Sequence, residues 1–180
     1  MYKIGHIGIN VLIYSPILFI QFIFSNYITG LIGLFIMVKY ASLPDIDLKY
    51  KFLTHRGFTH TYSFAILFGG IISMVSLVVS SIIFNFGIEI NLFYVLFWSF
   101  SIGILTIGGH LIGDIITPTG ITPFKKPKYF PNIRIFNNKK YTLNKCKASS
   151  KIANYSFLLT GLISLSFFVF TYMFILDTFK

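Results

Sequence analysis

Five long apolar runs divide this chain of 180 residues, and they constrain its fold more than any other feature. They cover Ile7–Phe24, Ile28–Ala41, Thr61–Phe84, Leu92–Ile116 and Ile152–Leu176. Because an α-helix needs about 20 apolar residues to cross the hydrocarbon core of a bilayer, the four longer runs predict membrane-spanning helices. The second run is short. It either spans with Tyr27 and Tyr40 as interfacial anchors or forms a half-buried, re-entrant helix.

The composition agrees with a protein that lies in lipid. Charged residues make up only 11% of the chain, while hydrophobic residues make up 55% and the mean hydropathy is +0.78. A soluble domain carries about 25% charged residues, so the deficit of charge argues against a water-soluble fold. We therefore predict an all-α fold, a multi-pass transmembrane helical bundle of about five helices, in which residues 1–180 form a single membrane domain.

The distribution of basic residues predicts the orientation of this bundle. If all five runs span, the N-terminus, residues 42–60 and a basic loop over residues 117–151 lie on one side of the membrane. All of the 15 Lys and Arg residues except Lys180 lie on or beside this side, which the positive-inside rule places in the cytoplasm. Because the basic residues flank apolar runs, the net charge of +10 does not indicate a nucleic-acid partner. We expect the protein in the cell (inner) membrane. There the basic loop covers the site as a lid, lies on anionic lipid headgroups, or is a solvated loop that only sets the topology.

Short polar segments interrupt the apolar sequence, and they contain all four histidines and three of the five acidic residues. The segments are His6, Leu43–Asp47, His55–His60 and His110–Asp114. Each lies at the predicted cytoplasmic end of a span, although the spans were assigned from hydropathy alone. Imidazoles and carboxylates at the same membrane depth of an apolar protein are expected to lie in contact with one another. Together they are suitable ligands for a metal ion.

Each pair of these residues also has a simpler interpretation. His110 and Asp114 are four apart, so they share one helix face. Burying the carboxylate costs at least about 2.5–3.5 kcal/mol unless a cation or a partner offsets it, and the simpler partner is His110 itself through a hydrogen bond. Asp45 and Asp47 follow Pro44, and from an extended turn they either bracket an ion or cap backbone N–H groups.

The third polar segment offers two histidines and one arginine. His55 and His60 are five apart, which does not suit one face of a helix, but Gly57 lets the chain bend between them. Arg56 is placed to bind an anion such as phosphate through a forked pair of hydrogen bonds. The simpler interpretation is an interfacial histidine pair beside an arginine that only sets the topology.

Taken together, the segments predict one shared metal centre that faces the cytoplasm. The predicted ligands are His6, Asp45, Asp47, His60, His110 and Asp114. Mixed imidazole and carboxylate ligands suit a divalent ion, zinc or manganese or else iron, better than calcium, and so many candidates suit two ions about 3.5–4 Å apart. No catalytic Ser or Cys dyad is apparent, so metal-activated water is the predicted nucleophile. Arg56 is the predicted group that steadies an anionic substrate. For His55, and also for His6, the roles of ligand, supporting group and proton shuttle all stay open.

These motifs resemble those of a known family. The segments LPDID over Leu43–Asp47, HRGFTH over His55–His60 and GHLIGDIITPTG over Gly109–Gly120 look like the signature of the membrane-bound metal-dependent hydrolases. That family is also called the YdjM-like, LexA-binding, inner-membrane-associated hydrolases. His6 lies where the family has an early Thr-His pair, although Gly5 stands here in place of the threonine.

The resemblance covers about residues 1–135, and the final apolar run is generic. It implies that the seven His and Asp residues of the polar segments form the metal centre or its immediate surroundings. It also implies that Thr117–Gly120 shapes the rim of the site.

The sequence leaves distinct functions open. The first hypothesis is a membrane hydrolase that cleaves an ester or phosphoester. A lipid is the favoured substrate, because the predicted site opens at headgroup depth. The second is a non-catalytic interaction protein with a structural metal site, which recruits a cytoplasmic protein partner or anionic lipids. A metal-ion transporter is less favoured, because a pathway would place ionisable residues near the membrane midplane.

Overall fold

The computed structural model describes residues 1–50, 54–85, 91–125 and 137–178. Its helices are α1 (Lys3–Ile23), α2 (Tyr27–Lys39), α3 (Tyr62–Asn85), α4 (Leu92–Ile116) and α5 (Lys151–Thr178). Two short 3-10 helices, Leu43–Leu48 and Phe58–His60, lie between α2 and α3. The described residues contain no strand, only an isolated antiparallel bridge between Ile121 and Tyr141. The predicted all-α, five-helix fold is confirmed.

The second apolar run is long enough to span once the first 3-10 helix is added to α2. Among the described residues, five helices are long and apolar enough to cross a membrane, and the second of them covers Tyr27–Leu48 with 22 residues. The other bounds differ from the predicted ones by a few residues. For example, α5 begins at Lys151, which the prediction had placed in the basic loop.

Helix α1 lies at the centre of the bundle. It packs against α5, α2 and α4, while α3 packs mainly against α4. Glycines allow two of these contacts to be close. A Cβ at Gly161 would overlap the carbonyl oxygen of Gly8 where α5 crosses α1, and a Cβ at Gly69 would lie 2.7 Å from the carbonyl oxygen of Phe100 where α3 crosses α4. Small residues serve this purpose in membrane helices, where apolar burial between helices gives little driving force.

The buried apolar core lies between α1, α2 and α4. Its members are Tyr14, Leu18, Ile36, Met37, Trp98 and Ile102. The hydroxyl of Tyr14 donates to the carbonyl oxygen of Gly30 at 2.8 Å, so this buried phenol is satisfied. Helices α3 and α5 expose many large apolar side chains on their outer faces, as lipid-facing helices do.

The described parts of the basic loop pack against the end of α4. The backbone N–H of Leu143 donates to Ile115 at 2.7 Å, and that of Lys145 donates to Ile116 at 2.9 Å. The hydroxyl of Thr142 donates to the carbonyl oxygen of Thr117 at 2.6 Å. The end of α4 that carries Asp114 is therefore covered by residues 141–145. The middle of the predicted basic loop, residues 126–136, lies outside the described residues.

Candidate metal centre

Five of the predicted site residues meet at one end of the bundle. They are His6 on α1, Asp45 on the first 3-10 helix, His60 on the second, and His110 and Asp114 on α4. The three imidazoles are fully buried and the Asp114 side chain is 2% exposed, whereas the Asp45 side chain is 22% exposed. The group is therefore closed on most sides and reaches the surface at Asp45.

His60 and His110 approach the same carboxylate oxygens. The Nε2 atom of His60 lies 3.3 Å from Oδ2 of Asp114 and 3.6 Å from Oδ1 of Asp45. The Nε2 atom of His110 lies 3.7 Å and 3.6 Å from these two oxygens. The two Nε2 atoms are themselves only 3.2 Å apart, so both imidazoles point at one small region.

His6 approaches the other oxygen of each carboxylate. Its Nε2 atom lies 3.6 Å from Oδ1 of Asp114 and 4.0 Å from Oδ2 of Asp45, and its ring stacks on His110 with centroids 3.7 Å apart. Each carboxylate thus has one oxygen near His6 and the other near His60 and His110.

The potential ligand atoms form two groups, one with His6, Asp45 and His110 and the other with His60, His110 and Asp114. Within each group all ligand atoms lie within 4.8 Å of one another.

The segment after Pro44 is helical, so the prediction of an extended turn there was wrong. Pro44 occupies the first turn of a 3-10 helix over Leu43–Leu48, where its missing N–H costs nothing. A 3-10 helix has three residues per turn, so side chains two apart face different directions. Asp45 therefore faces the other site residues while Asp47 points elsewhere.

Asp47 lies behind His60 and outside the two ligand groups. Its Oδ2 atom is 3.3 Å from Nδ1 of His60, and it accepts hydrogen bonds from the backbone N–H of Arg56 at 2.8 Å and from the hydroxyl of Thr59 at 3.3 Å. Its Oδ1 atom is 3.3 Å from Nδ1 of His55, a side chain that is 51% exposed. This arrangement suits a carboxylate that orients His60, with His55 on its outer side.

The hydrogen bonds of His110 and His60 direct their Nε2 atoms into the site. Nδ1 of His110 lies 2.9 Å from the carbonyl oxygen of Ala41, which can only accept, so Nδ1 carries a proton and Nε2 is free to bind an ion. Nδ1 of His60 faces Asp47 in the same way. His6 differs, because both of its ring nitrogens are buried with no hydrogen-bond partner among the described residues. Such an orphaned imidazole beside two carboxylates fits a bound cation.

Without a metal, a proton takes the place of that cation on His60. Burial lowers the pKa of His60, but its hydrogen bonds to Asp114 and Asp45 outweigh burial and raise the pKa to about 9. The N-terminal amino group adds a further positive charge, since it lies 3.0 Å from Oδ1 of Asp114. Protonated His60 thus balances part of the negative charge of Asp114 and Asp45 when no ion is present.

Glycines of the GHLIGD segment let α1 approach α4 at the site. A Cβ at Gly113 would lie 2.8 Å from Nδ1 of His6, and a Cβ at Gly109 would overlap Oδ1 of Asn10. Asn10 was missed in the sequence analysis. The only available signal was one amide inside an otherwise apolar run, and such a signal does not reveal what it contacts.

Arg56 joins the HRGFTH segment to the rim segment Thr117–Gly120. Its Nη1 atom donates to the carbonyl oxygen of Gly120 at 3.0 Å, while its Nε atom is buried without a hydrogen-bond partner among the described residues. Arg56 has a φ of 57°, which is uncommon for a residue with a side chain. This backbone conformation accompanies the hydrogen bond from its N–H to Asp47.

The family model for YdjM inner membrane proteins matches residues 1–176 of this chain. The match extends well past residue 135 and includes most of α5, so treating the final span as generic was wrong. No curated protein sequence and no solved structure matches the chain.

Proposed function

The chain belongs to the YdjM inner membrane protein family, and we propose that it is a membrane-embedded, metal-dependent hydrolase of esters or phosphoesters. The observation that carries this proposal is the buried group of three imidazoles and two carboxylates at one end of the bundle. Its mixed nitrogen and oxygen donors suit zinc or manganese, with room in the donor set for two ions.

Desolvation supports a cation rather than simple helix packing. A buried polar atom without a partner costs about 1–3 kcal/mol, and His6 leaves both ring nitrogens in that state. A divalent ion would take one of these nitrogens as a ligand and would balance the carboxylates. When bound, it would also supply Lewis acidity and activate water near neutral pH.

The chain's own residues would bind and orient the substrate. Asp45 is the exposed member of the group, so substrate and water would approach along its edge. Arg56 uses one donor on Gly120 and keeps other guanidinium N–H groups for an anionic substrate oxygen. His55, exposed on the outer side of Asp47, is the proposed group for proton exchange with solvent.

The surroundings of Asp45 favour a substrate with an apolar tail. In a 3-10 helix, side chains three apart eclipse one another, so Leu48 lies on the same side as Asp45. Leu48 is 66% exposed, and Phe58 on the next 3-10 helix is 43% exposed. A partly exposed carboxylate on a short helix that also carries an exposed leucine, at the end of a span, suits a lipid ester or lipid phosphoester.

The first experiment measures metal content and hydrolysis on detergent-purified protein. Metal would be determined by elemental analysis, and hydrolysis would be measured on short-chain and long-chain phosphoesters. Asp114→Asn should lose bound metal and hydrolysis, because it removes a charge shared by all three imidazoles. Asp177→Asn is the matched control, since Asp177 is exposed at the other end of the bundle. A folded Asp114→Asn variant with full metal and activity would contradict the proposal.

The second candidate is a non-catalytic membrane protein with a structural metal, which recruits a cytoplasmic protein partner. The near-complete burial of four of the five site residues favours it, because structural metal sites are closed to solvent. Bound metal without hydrolysis of any ester or phosphoester tested would support this candidate over the enzyme.

A further inference from the structure

His6 is the one histidine of the centre whose ring no hydrogen bond fixes among the described residues. Nδ1 of His110 is held by Ala41 and Nδ1 of His60 by Asp47 and Thr59. Both nitrogens of His6 lack such a partner. The position of the His6 ring therefore depends on where α1 lies, and on the stacked ring of His110.

One asparagine holds the start of α1 from α5. Oδ1 of Asn154 accepts the backbone N–H of Tyr2 at 2.9 Å, directly before the first residue of α1. The Nδ2 atom of Asn154 donates to the carbonyl oxygens of Ala148 and Ser150 at 3.0 Å and 2.7 Å, so the amide is itself fixed. Gly5 makes room for it, because a Cβ there would overlap Oδ1 of Asn154.

A second asparagine holds α1 one turn below His6. Nδ2 of Asn10 donates to the carbonyl oxygen of Met37 on α2 at 2.9 Å and to that of Thr106 on α4 at 3.1 Å. Both asparagines are almost completely buried, and the bonds of their Nδ2 atoms offset part of the cost of burying the two amides. His6 thus lies between two side-chain contacts that fix α1 against three other helices.

We propose that Asn154 and Asn10 are positioning residues for His6, and that through it they set the metal affinity of one half of the centre. This proposal rests on the proposed metal-dependent function. The half built on His6 and Asp45 depends on the placement of α1. The half that contains His60, His110 and Asp114 draws on no residue of α1, so it should survive when α1 shifts.

A double-mutant cycle with Co²⁺ tests the proposal on the full chain in detergent. Binding is followed by the visible absorption of the ion in the wild type, Asn154→Ala, His6→Ala and the double variant. Asn154→Ala should weaken Co²⁺ binding about 10-fold or more, as expected for residues that orient a ligand. In the His6→Ala background the same change should have less than about a 2-fold effect, because the residue through which Asn154 acts is gone.

Thr160→Ala is the control variant, and circular dichroism of each variant checks that the helices have formed. Thr160 lies exposed on α5, and its hydroxyl donates to the carbonyl oxygen of Ser156 in the same helix at 2.8 Å, so Thr160→Ala should leave Co²⁺ binding unchanged.

The possible outcomes separate the two proposals. Equal loss from Asn154→Ala in both backgrounds would overturn the positioning role alone. Loss of all Co²⁺ binding in folded His6→Ala would overturn the division of the centre into two halves. A wild-type protein that binds no Co²⁺ would overturn the metal centre itself.

Discussion

Asp45 and Asp47 are only two residues apart, but their carboxylates have different surroundings. Asp45 faces three imidazoles and is partly exposed, whereas Asp47 is buried against Nδ1 of His60, Thr59 and a backbone N–H. The 3-10 geometry of Leu43–Leu48 separates them. We interpret Asp45 as a ligand and Asp47 as the group that orients His60.

Substitution of each carboxylate by its amide tests this division. Asp45→Asn should lose most of the bound metal. Asp47→Asn should still bind metal at saturation, with an affinity about 10-fold to 100-fold lower, because only the orientation of a ligand is disturbed. Isothermal titration with Zn²⁺ on both variants measures the difference. The reverse order of effects would show that Asp47 is the ligand.

Because His60 is protonated when no metal is bound, we expect the stability of the metal-free protein to depend on pH differently from that of the metal-loaded protein. Because the pKa of His60 is raised from 6.5 to about 9, protonation stabilises the metal-free fold. That stabilisation is complete below about pH 6.5 and is lost as the pH rises through about 9. A bound ion must displace the proton, so the thermal midpoint should fall over this range only without metal. A fall of equal size in the metal-loaded protein would argue against His60 as a ligand.

The seven His and Asp candidates could be found from the sequence, but the asparagines that hold α1 could not. His110 and Asp114 are four apart, and the dense polar segments stand out against apolar runs. Asn10 and Asn154 are single amides, and their partners lie on other helices. Spacing within one segment carries no information about such contacts.

Gly108 and Gly113 lie on different faces of helix α4, and only the face of Gly113 is close to the candidate metal centre. A Cβ at Gly113 would lie 2.8 Å from His6, whereas a Cβ at Gly108 would meet nothing within 4 Å. Alanine in a helix is intrinsically favoured over glycine by about 0.5–1 kcal/mol. Gly108→Ala should therefore keep or raise the thermal midpoint and keep the metal affinity. Gly113→Ala should weaken metal binding by pushing His6 away. Equal affinities in the two variants would mean that His6 does not contribute to binding.

The presence and type of the helices were predictable because each apolar run is long. The conformation after Pro44 was not, because the same proline suits an extended turn and the first turn of a 3-10 helix. The length of the second span depended on this detail, since the 3-10 helix extends that span to Leu48.

The whole molecule is asymmetric in charge, and we propose that the end with the candidate metal centre faces the cytoplasm. All of the 15 basic residues except Lys180 lie on or beside the side of the chain that the sequence assigns to this end. The described loop residues that cover the end of α4 include the exposed Lys145.

Thiol labelling tests this orientation. Cys146 is the single native cysteine, so Cys146→Ser gives a background without thiols. In that background, Lys145→Cys should react with a membrane-impermeant maleimide only in inside-out vesicles. Asp177→Cys, at the opposite end, should react in intact spheroplasts. The opposite labelling pattern would invert the proposed topology and move the site out of the cytoplasm.

The most direct measurement of the central claim is an experimental structure with anomalous diffraction recorded at the absorption edge of the bound metal. We predict an anomalous peak enclosed by the side chains of His6, Asp45, His60, His110 and Asp114. A well-ordered site with no peak, in which these imidazoles and carboxylates bond directly to one another after crystallisation with zinc and manganese, would contradict it.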